Sequence, residues 1–287
     1  MEKFRKNFPA IVLAMFIAMA VVTWYAVFHL QRRQDLVVTF FDIGQGDAIF
    51  IEATNGNQIL IDGGPGDRIL SKLGRAMPFW DRSIDLLILT HPHADHLDGL
   101  LEVLKRYHVA YILESGIHHS IPEYEEWREL LKKKSVSLVT GHTGQMIHAG
   151  DGVKLEVLAP FEDYRNSVSK NIHDATVVTK LVYGNTSVLF MGDAEKKLEH
   201  KLVFSGIAVD VDILKVGHHG SKTSTSEEFL TAVSPSVAVI SAGRKNRYGH
   251  PHQDVLDRLT RSGARVLRTD RDHDIRFLSD GINYDIQ

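Results

Sequence analysis

Between Ile84 and Leu101 the chain reads IDLLILTHPHADHLDGLL, and this junction constrains the fold more than any other stretch. The almost continuous apolar run before Thr90 has the character of a strand buried on both faces, which occurs in parallel sheets covered by helices. His91, His93, Asp95 and His96 follow directly. Pro92 keeps the backbone extended, and alternate residues of an extended segment point the same way, so His91 and His93 can reach one ion. Asp95 and His96 fall where the loop turns into a helix expected to begin near Leu97, which aims them at a second point close by. One segment therefore offers ligands to two metal ions, with a hydrophobic strand behind it as support. The alternative, a histidine-rich surface loop, fits this spacing poorly.

The chain of 287 residues is 44% hydrophobic and 24% charged, ordinary proportions for a protein with a real core. It contains no cysteine, which excludes disulfides, thiolate metal sites and a cysteine nucleophile. Any metal must be held by nitrogen and oxygen, a set that suits zinc, with manganese as the alternative. The net charge of -3 shows no global basic bias, although a local basic patch is enough for a polyanionic partner.

An uncharged run from Asn7 to Phe28 lies between Lys3, Arg5 and Lys6 on one side and Arg32 and Arg33 on the other. It is long enough to cross a bilayer as a helix, with Trp24 and Tyr25 suited to the interface. A cleaved signal peptide ending at Ala18-Met19-Ala20 is the alternative, but the apolar stretch continues through VVTWYAVF. The expectation is a cytoplasmic stub and single transmembrane anchor over residues 1–34. A folded domain over residues 35–287 would then lie outside the cytoplasm, in the cell membrane's single-pass class.

Beyond residue 35 strands and helices alternate, which predicts one α/β domain. LVVTFFDIG and DAIFIEAT read as strands, and Asn55-Gly56-Asn57 as the hairpin turn before NQILIDGG. VAYILESG, VSLVTG, VKLEVLAP, TVVTKLVYG, TSVLFMGD, VDILKVG, SVAVISAG, RVLRTD and DIRFLSD complete the strands. LDGLLEVLKRY, PEYEEWRELLKKK, SEEFLTAV and PHQDVLDRLTRSG have helical spacing.

The H-x-H-x-D-H pattern after a buried strand resembles the metallo-β-lactamase superfamily. That resemblance implies an αββα sandwich with a dinuclear site at one edge. Carried over residue by residue, it implies Asp62 of LIDGG as a support for the metal ligands and Asp193 of LFMGD as the bridging carboxylate. His219 of KVGHHG is the implied last ligand, with His218 as the spare. For the remaining histidine, His142 in TGHTGQ lies too far before Asp193, whereas His173 in NIHDATVV lies twenty residues before it and leads into a strand. His91, His93 and His173 would thus hold one ion and Asp95, His96 and His219 the other, with Asp193 between.

VVTFFDIGQGDAIFIEATNGNQILIDGG, HPHADHLDGL, LKVGHHGSKTSTSEEFLTAVSPSVAVISAG and NRYGHPHQDVLDRL together resemble the hydrolase domain of ComEC-type DNA-uptake proteins, and also phosphorylcholine esterases of the same branch. Two departures stand out. ComEC-type proteins carry a multi-span channel segment where this sequence has one apolar run, and asparagine is common where this sequence has His173. The resemblance implies a metal-dependent phosphodiesterase or nuclease acting on DNA, with a separate channel protein as a partner. The rivals are a hydrolase of a small ester such as phosphorylcholine and a binding module without catalysis.

Around the implied metals, His218, Ser221, Lys222 and Thr223 supply donors for phosphate oxygens, and Arg244, Lys245 and Arg247 add positive charge. The alternative for the basic loop is a solvated connection. His250 is a candidate general acid and Asp193 a group that orients the nucleophile. Asp47 in GQGDA either supports a metal ligand or holds the glycine turn, the latter being favoured. A choline-type substrate would call for an aromatic cage, for which Trp80, Trp127 and Tyr124 are the candidates.

Overall fold

The computed structural model describes residues 2–30, 35–165, 167–168 and 171–287. The N-terminal run is a helix, α1 (Glu2–Leu30), whose stretch Asn7–Tyr25 is long and apolar enough to cross a membrane, with a mean hydropathy of 2.1. The flanking Arg32 and Arg33 lie outside the described residues.

Beyond α1 the chain builds two sheets that face each other. The first contains β1 (Leu36–Phe40), β2 (Ile49–Glu52), β3 (Gln58–Ile61), β4 (Ser83–Ile88), β5 (His108–Glu114) and β6 (Ser137–Thr140) in chain order. The second contains β7 (Met146–Gly150), β8 (Val153–Ala159), β9 (Val178–Tyr183), β10 (Thr186–Phe190), β11 (Ile213–Lys215), β12 (Val237–Ile240) and β13 (Arg265–Arg268). The closing strands β14 (Ile275–Ser279) and β15 (Tyr284–Ile286) return to the first sheet beside β1. Antiparallel β1–β2–β3 is joined to parallel β3–β4–β5–β6, and antiparallel β8–β9–β10 to parallel β10–β11–β12–β13. The Asn55–Asn57 turn closes the β2–β3 hairpin, where Glu52 faces Gln58.

Three apolar layers hold this sandwich together. Phe40, Ile51, Ile88, Leu155, Leu181 and Phe190 pack between the sheets. The helices α2 (Arg68–Ala76), α3 (Ala94–Arg106) and α4 (Pro122–Lys134) cover the outer face of the first sheet through residues such as Leu73, Leu97, Leu104 and Trp127. On the second sheet, α5 (Lys196–Phe204), α6 (Glu227–Val233) and α7 (Gln253–Arg261) do the same through Leu198, Phe229 and Leu259. A short α8 (Thr269–Asp272) links β13 to β14. From Leu86 to Ile88 both faces of β4 are covered, which is why that half is continuously apolar, whereas Ser83 and Asp85 at its start are exposed.

The architecture gathers the C-terminal ends of the parallel strands at one edge, where α/β folds place their sites. Close backbone contacts seal that edge. A Cβ on Gly99 would lie 2.0 Å from the Gly63 carbonyl oxygen, and one on Gly46 would lie 2.1 Å from that of Asp95. Only glycine lets the GQGD and DGG loops come this close to α3.

Candidate metal centre

The ligand-type residues arrive at this edge from the ends of four strands. His91 and His93 follow β4, His173 precedes β9, Asp193 follows β10, and His219 follows β11. The helix after β4 begins at Ala94 rather than near Leu97, so Asp95 and His96 occupy its first turn. Ligand atoms of His91, His93, His173 and Asp193 lie within 4.8 Å of one another, and so do those of Asp95, His96 and His219. Asp193 stands between the two groups. Its Oδ2 is 3.6 Å from His91 Nε2, while its Oδ1 is 3.4 Å from His96 Nε2 and 3.3 Å from His219 Nε2.

The imidazoles are oriented by what their Nδ1 atoms touch. His96 Nδ1 donates to Asp62 Oδ2 at 2.7 Å, and His219 Nδ1 donates to the Ser241 carbonyl at 3.0 Å. His173 Nδ1 meets the Asp193 carbonyl at 3.1 Å, and His91 Nδ1 meets Thr90 Oγ1 at 3.1 Å. Thr90 in turn donates its hydroxyl and its amide to Asp62. Each of these rings thus has Nδ1 occupied and Nε2 facing inward, the arrangement that fixes tautomers in metal sites, although His91 Nε2 also meets His93 Nδ1 at 3.0 Å. His96 Nε2, His219 Nε2 and Asp193 Oδ1 are buried and have no hydrogen-bond partner in the protein. Orphaned buried polar atoms are costly, and these three converge on one point. The cluster is suited to binding metal ions.

Strained backbone supports the same edge. His218 and His219 are consecutive residues at φ 48° and 54°, and Asp62 sits at φ 58°. Non-glycine residues rarely hold this left-handed conformation, which tends to persist where surrounding structure enforces a functional geometry.

The histidines and carboxylates around Asp193 shift one another strongly. Burial would depress His219, but Asp193 and Asp47 outweigh it and push the ring up to about 10. Burial likewise opposes the charged form of His96, which Asp193 and Asp62 nevertheless lift well above its usual range. Burial would raise Asp193, yet the His219 and His96 rings hold it far below. A group with a raised folded pKa adds stability below its unfolded value, 6.5 for histidine, and loses it as pH climbs through the folded value. The chelated protein is therefore expected to lose melting temperature between about pH 7 and 10. A divalent ion must displace those protons, so the rise in melting temperature on adding zinc should grow from pH 6.5 to 9. Scanning fluorimetry with and without chelator measures both, and a flat chelated profile would contradict these protonation states.

A cleft of about 800 Å³ opens over the cluster, lined by His93, Asp95, His173, Asp193, His218 and His219, with Arg247, Tyr248 and His250 on one wall. Other residues expected beside the substrate take different places. The double left-handed turn at His218–His219 directs the next residues away from the cleft. The Ser221 amide bonds back to the His218 carbonyl, and Ser221 Oγ is 3.0 Å from Thr223 Oγ1. Thr223 Oγ1 approaches His218 Nδ1 at 3.4 Å, and Lys222 is exposed outside the cleft lining. Arg244 lines a neighbouring groove and donates to the Asp270 carbonyl, while Lys245 is exposed. His142 is exposed and apart from the cluster. The aromatic cage is not assembled. Trp127 is buried and donates to Glu114, Tyr124 is buried beneath α4, and Trp80 lies before β4 at the opposite end of the sheet. Among the described residues, Tyr248 is the one aromatic side chain other than histidine in the cleft lining.

Asp47 resolves into a supporting residue. It is buried, its Oδ2 accepts from Lys215 Nζ at 2.6 Å, and its Oδ1 lies 3.4 Å from His219 Nδ1. Glu195 joins the site although its sequence context does not mark it. Its Oε1 lies 3.4 Å from His218 Nδ1 and 3.8 Å from His173 Nδ1, and its position two residues after Asp193 is the signal that could have revealed it. His119, whose ring packs 5.5 Å from that of His93, is likewise a new member of the cleft wall.

Residues 41–244 match the metallo-β-lactamase superfamily. The chain belongs to this superfamily. It is 34% identical over 261 residues to ComE operon protein 3 of Bacillus subtilis, covering 84% of this chain and 32% of that protein. It is 33% identical over 252 residues to competence protein ComA of Neisseria gonorrhoeae, covering 85% of this chain and 32% of that protein. The chain thus spans about a third of the length of these curated relatives. Among solved structures, Igni18, a metallo hydrolase from Ignicoccus hospitalis, superposes with a TM-score of 0.54 at 17% identity, covering 84% of this chain and 98% of that one. The protein has the metallo-β-lactamase fold and is related to competence proteins.

Proposed function

We propose that this protein is a membrane-anchored, dinuclear metal-dependent phosphodiesterase, a nuclease acting on DNA outside the cytoplasm. The observation that carries the reading is the Asp193 carboxylate, which presents one oxygen to each of two histidine-rich groups. His91, His93 and His173 would hold one ion and Asp95, His96 and His219 the other, with Asp193 serving both. Zinc is the best match to this nitrogen and carboxylate set, with manganese as the alternative. When bound, such a pair supplies a water acidified to near neutral pH and positive charge for phosphate oxygens.

The chain's own residues complete the chemistry. Asp193 can accept a hydrogen bond from the attacking water and so orient it. His218 stands 3.6 Å from Asp193 Oδ2, with Glu195 steadying its other nitrogen. Burial lowers its pKa, so near neutral pH the ring is uncharged; with the Nδ1 proton toward Glu195, its Nε2 faces the cleft as an acceptor for the attacking water or the leaving hydroxyl. Burial, with the neighbouring histidines, also takes His250 down to about 4, so near neutral pH it donates from an uncharged ring rather than as an imidazolium acid. Arg247 lies 4.9 Å over the Tyr248 ring at the mouth of the cleft. This pair offers a cation for the backbone phosphate and an aromatic face for a base, the combination that binds single strands.

The competence-type relatives support DNA as the substrate, and the α1 span supports the anchor. A separate channel protein is the partner this placement calls for. The test uses the full chain in proteoliposomes, supplied with zinc or manganese. Degradation of single-stranded DNA that stops with chelator and returns with metal is the expected result. Cleavage of bis(p-nitrophenyl) phosphate with DNA left intact would defeat the nuclease reading, and inactivity on both would defeat the phosphodiesterase.

A further inference from the structure

The end of the sandwich opposite the metal-type cluster has its own chemistry. β1 enters the first sheet there at Leu36, which pairs with Ser279 at the last turn of the β14–β15 hairpin. β4 and β5 start at the same end, with Ser83 opposite His108. Strands lie about 4.8 Å apart, so the segments before β4 and after β14 flank the entry point of the chain by about 5–15 Å. Both carry bare apolar side chains. Phe79 is 80% exposed and Trp80 65%, their rings packed edge-on at 4.7 Å, and Ile282 is 69% exposed. Beside them a groove runs along the starts of β5 and β6, lined by Arg82, Lys105, Arg106, His108 and Lys134.

We propose that this end of the domain docks on the bilayer surface, with Phe79 and Trp80 in the lipid interface and the basic groove on the phosphates of anionic phospholipids. The proposal rests on reading α1 as the membrane anchor. Six peptide units join Leu30 to Leu36, a reach of at most about 20 Å, so β1 must begin close to the membrane. Aromatic side chains with an apolar body favour the headgroup boundary, and juxtamembrane cations are drawn to an anionic leaflet. Glu102 offsets Lys105 and Arg106, and Glu126 pairs with Lys105 as well, which among the described residues leaves Arg82, His108 and Lys134 as the groove's unshared donors of positive charge near the surface. Arg82 is instead held against Tyr107, donating to its hydroxyl at 2.9 Å with its guanidinium over the ring. Of the carboxylates at this end, Asp81 accepts from Ser83 and Gln58, Asp85 from the Gln58 backbone amide, and Asp280 from the amides of Ile282 and Asn283. His91 follows Ser83 along β4 and its extension, a rise of roughly 25 Å. The docked domain therefore turns its cleft away from the bilayer, toward polymers arriving from the aqueous side.

The absence of cysteine makes the test direct. Single-cysteine full chains, Trp80→Cys and Val168→Cys, would be spin-labelled and reconstituted in phosphatidylglycerol-containing vesicles. Val168 serves as the comparison because it is 79% exposed and its loop meets His118, beyond the far end of β5. The expected result is a label at 80 open to oxygen and shielded from an aqueous nickel chelate, with the reverse at 168. Adding Arg82→Gln and Lys134→Gln should lower the docked-to-free ratio about 30-fold, from about 1 kcal/mol per cation near the surface. Vesicle flotation separates the two readings. Protein that fails to float removes the anchor and the docking with it, whereas floated protein with an aqueous label at 80 overturns the docking alone. Equal nickel shielding in phosphatidylcholine vesicles would show that anionic headgroups play no part and overturn the proposal, and a label closed to oxygen as well would assign the contact to protein.

Discussion

Asp193→Asn is expected to cut turnover of a phosphodiester by roughly 100- to 1000-fold while leaving the fold in place. The substitution keeps the shape of the side chain, so packing at the end of β10 is preserved. What it removes is the charge that faces His91, His96, His218 and His219 together. An amide offers one acceptor where the proposed arrangement needs two, and its NH2 group points a donor at ring nitrogens. Metal content per chain should therefore fall along with turnover. His219 should also move back toward the ordinary histidine range, because Asp193 is the first of the carboxylates that lift it. Steady-state kinetics on bis(p-nitrophenyl) phosphate, elemental analysis of dialysed protein and circular dichroism measure the three effects. Asp62→Asn provides a scale, since a residue acting through His96 typically costs about 10- to 100-fold. A fully active, metal-replete Asp193→Asn variant would remove the bridging role.

The parts of this site that could be read from sequence are those compressed into one short segment. HPHADH declares itself because an extended tripeptide and the first turn of a helix fix the relative directions of four side chains without any tertiary information. His173, Asp193 and His219 come from three separate strand ends, and nothing local brings them to HPHADH; only the family resemblance did. The same division runs through the fold. PEYEEWRELLKKK has an apolar stripe and a proline in its first turn, and α4 occupies Pro122–Lys134. α2 and α5 went unread because each is nine residues long with two buried apolar positions and no side-chain cap. The basic loops misled for a physical reason. Proximity in sequence to a ligand says nothing of direction, and the left-handed pair at His218–His219 turns Lys222 outward. Glu195 escaped notice because a glutamate beside a lysine pair reads as solvated surface, whereas the turn after β10 brings it to His173 and His218.

Lys215→Met is expected to destabilise the protein by about 3–5 kcal/mol, because it strands a buried carboxylate. Lys215 is fully buried on β11 in the second sheet, and Asp47 belongs to the GQGD loop of the first. Their 2.6 Å contact joins residues 168 positions apart in the chain. Lys215 Nζ also donates to the Val216 carbonyl, so little else can replace it as a partner for Asp47. Burial would raise the Asp47 pKa, but Lys215 and then His219 hold it well below the usual carboxylate range, so the group stays charged. With the ammonium gone, Asp47 must either take up a proton or pull on His219, its other neighbour. Differential scanning calorimetry should show a fall of roughly 10 °C in melting temperature for a domain of this size. Asp47→Asn combined with Lys215→Met should recover a large part of that loss, since an uncharged pair leaves no bare ion behind. The double variant should still turn over more slowly than the parent, because Asp47 steadies the ring that must present Nε2 to Asp193. If the double variant is no more stable than Lys215→Met, the pair acts by packing rather than by charge. In that case the closure of the GQGD loop over Asp95 depends on the Gly46 contact instead.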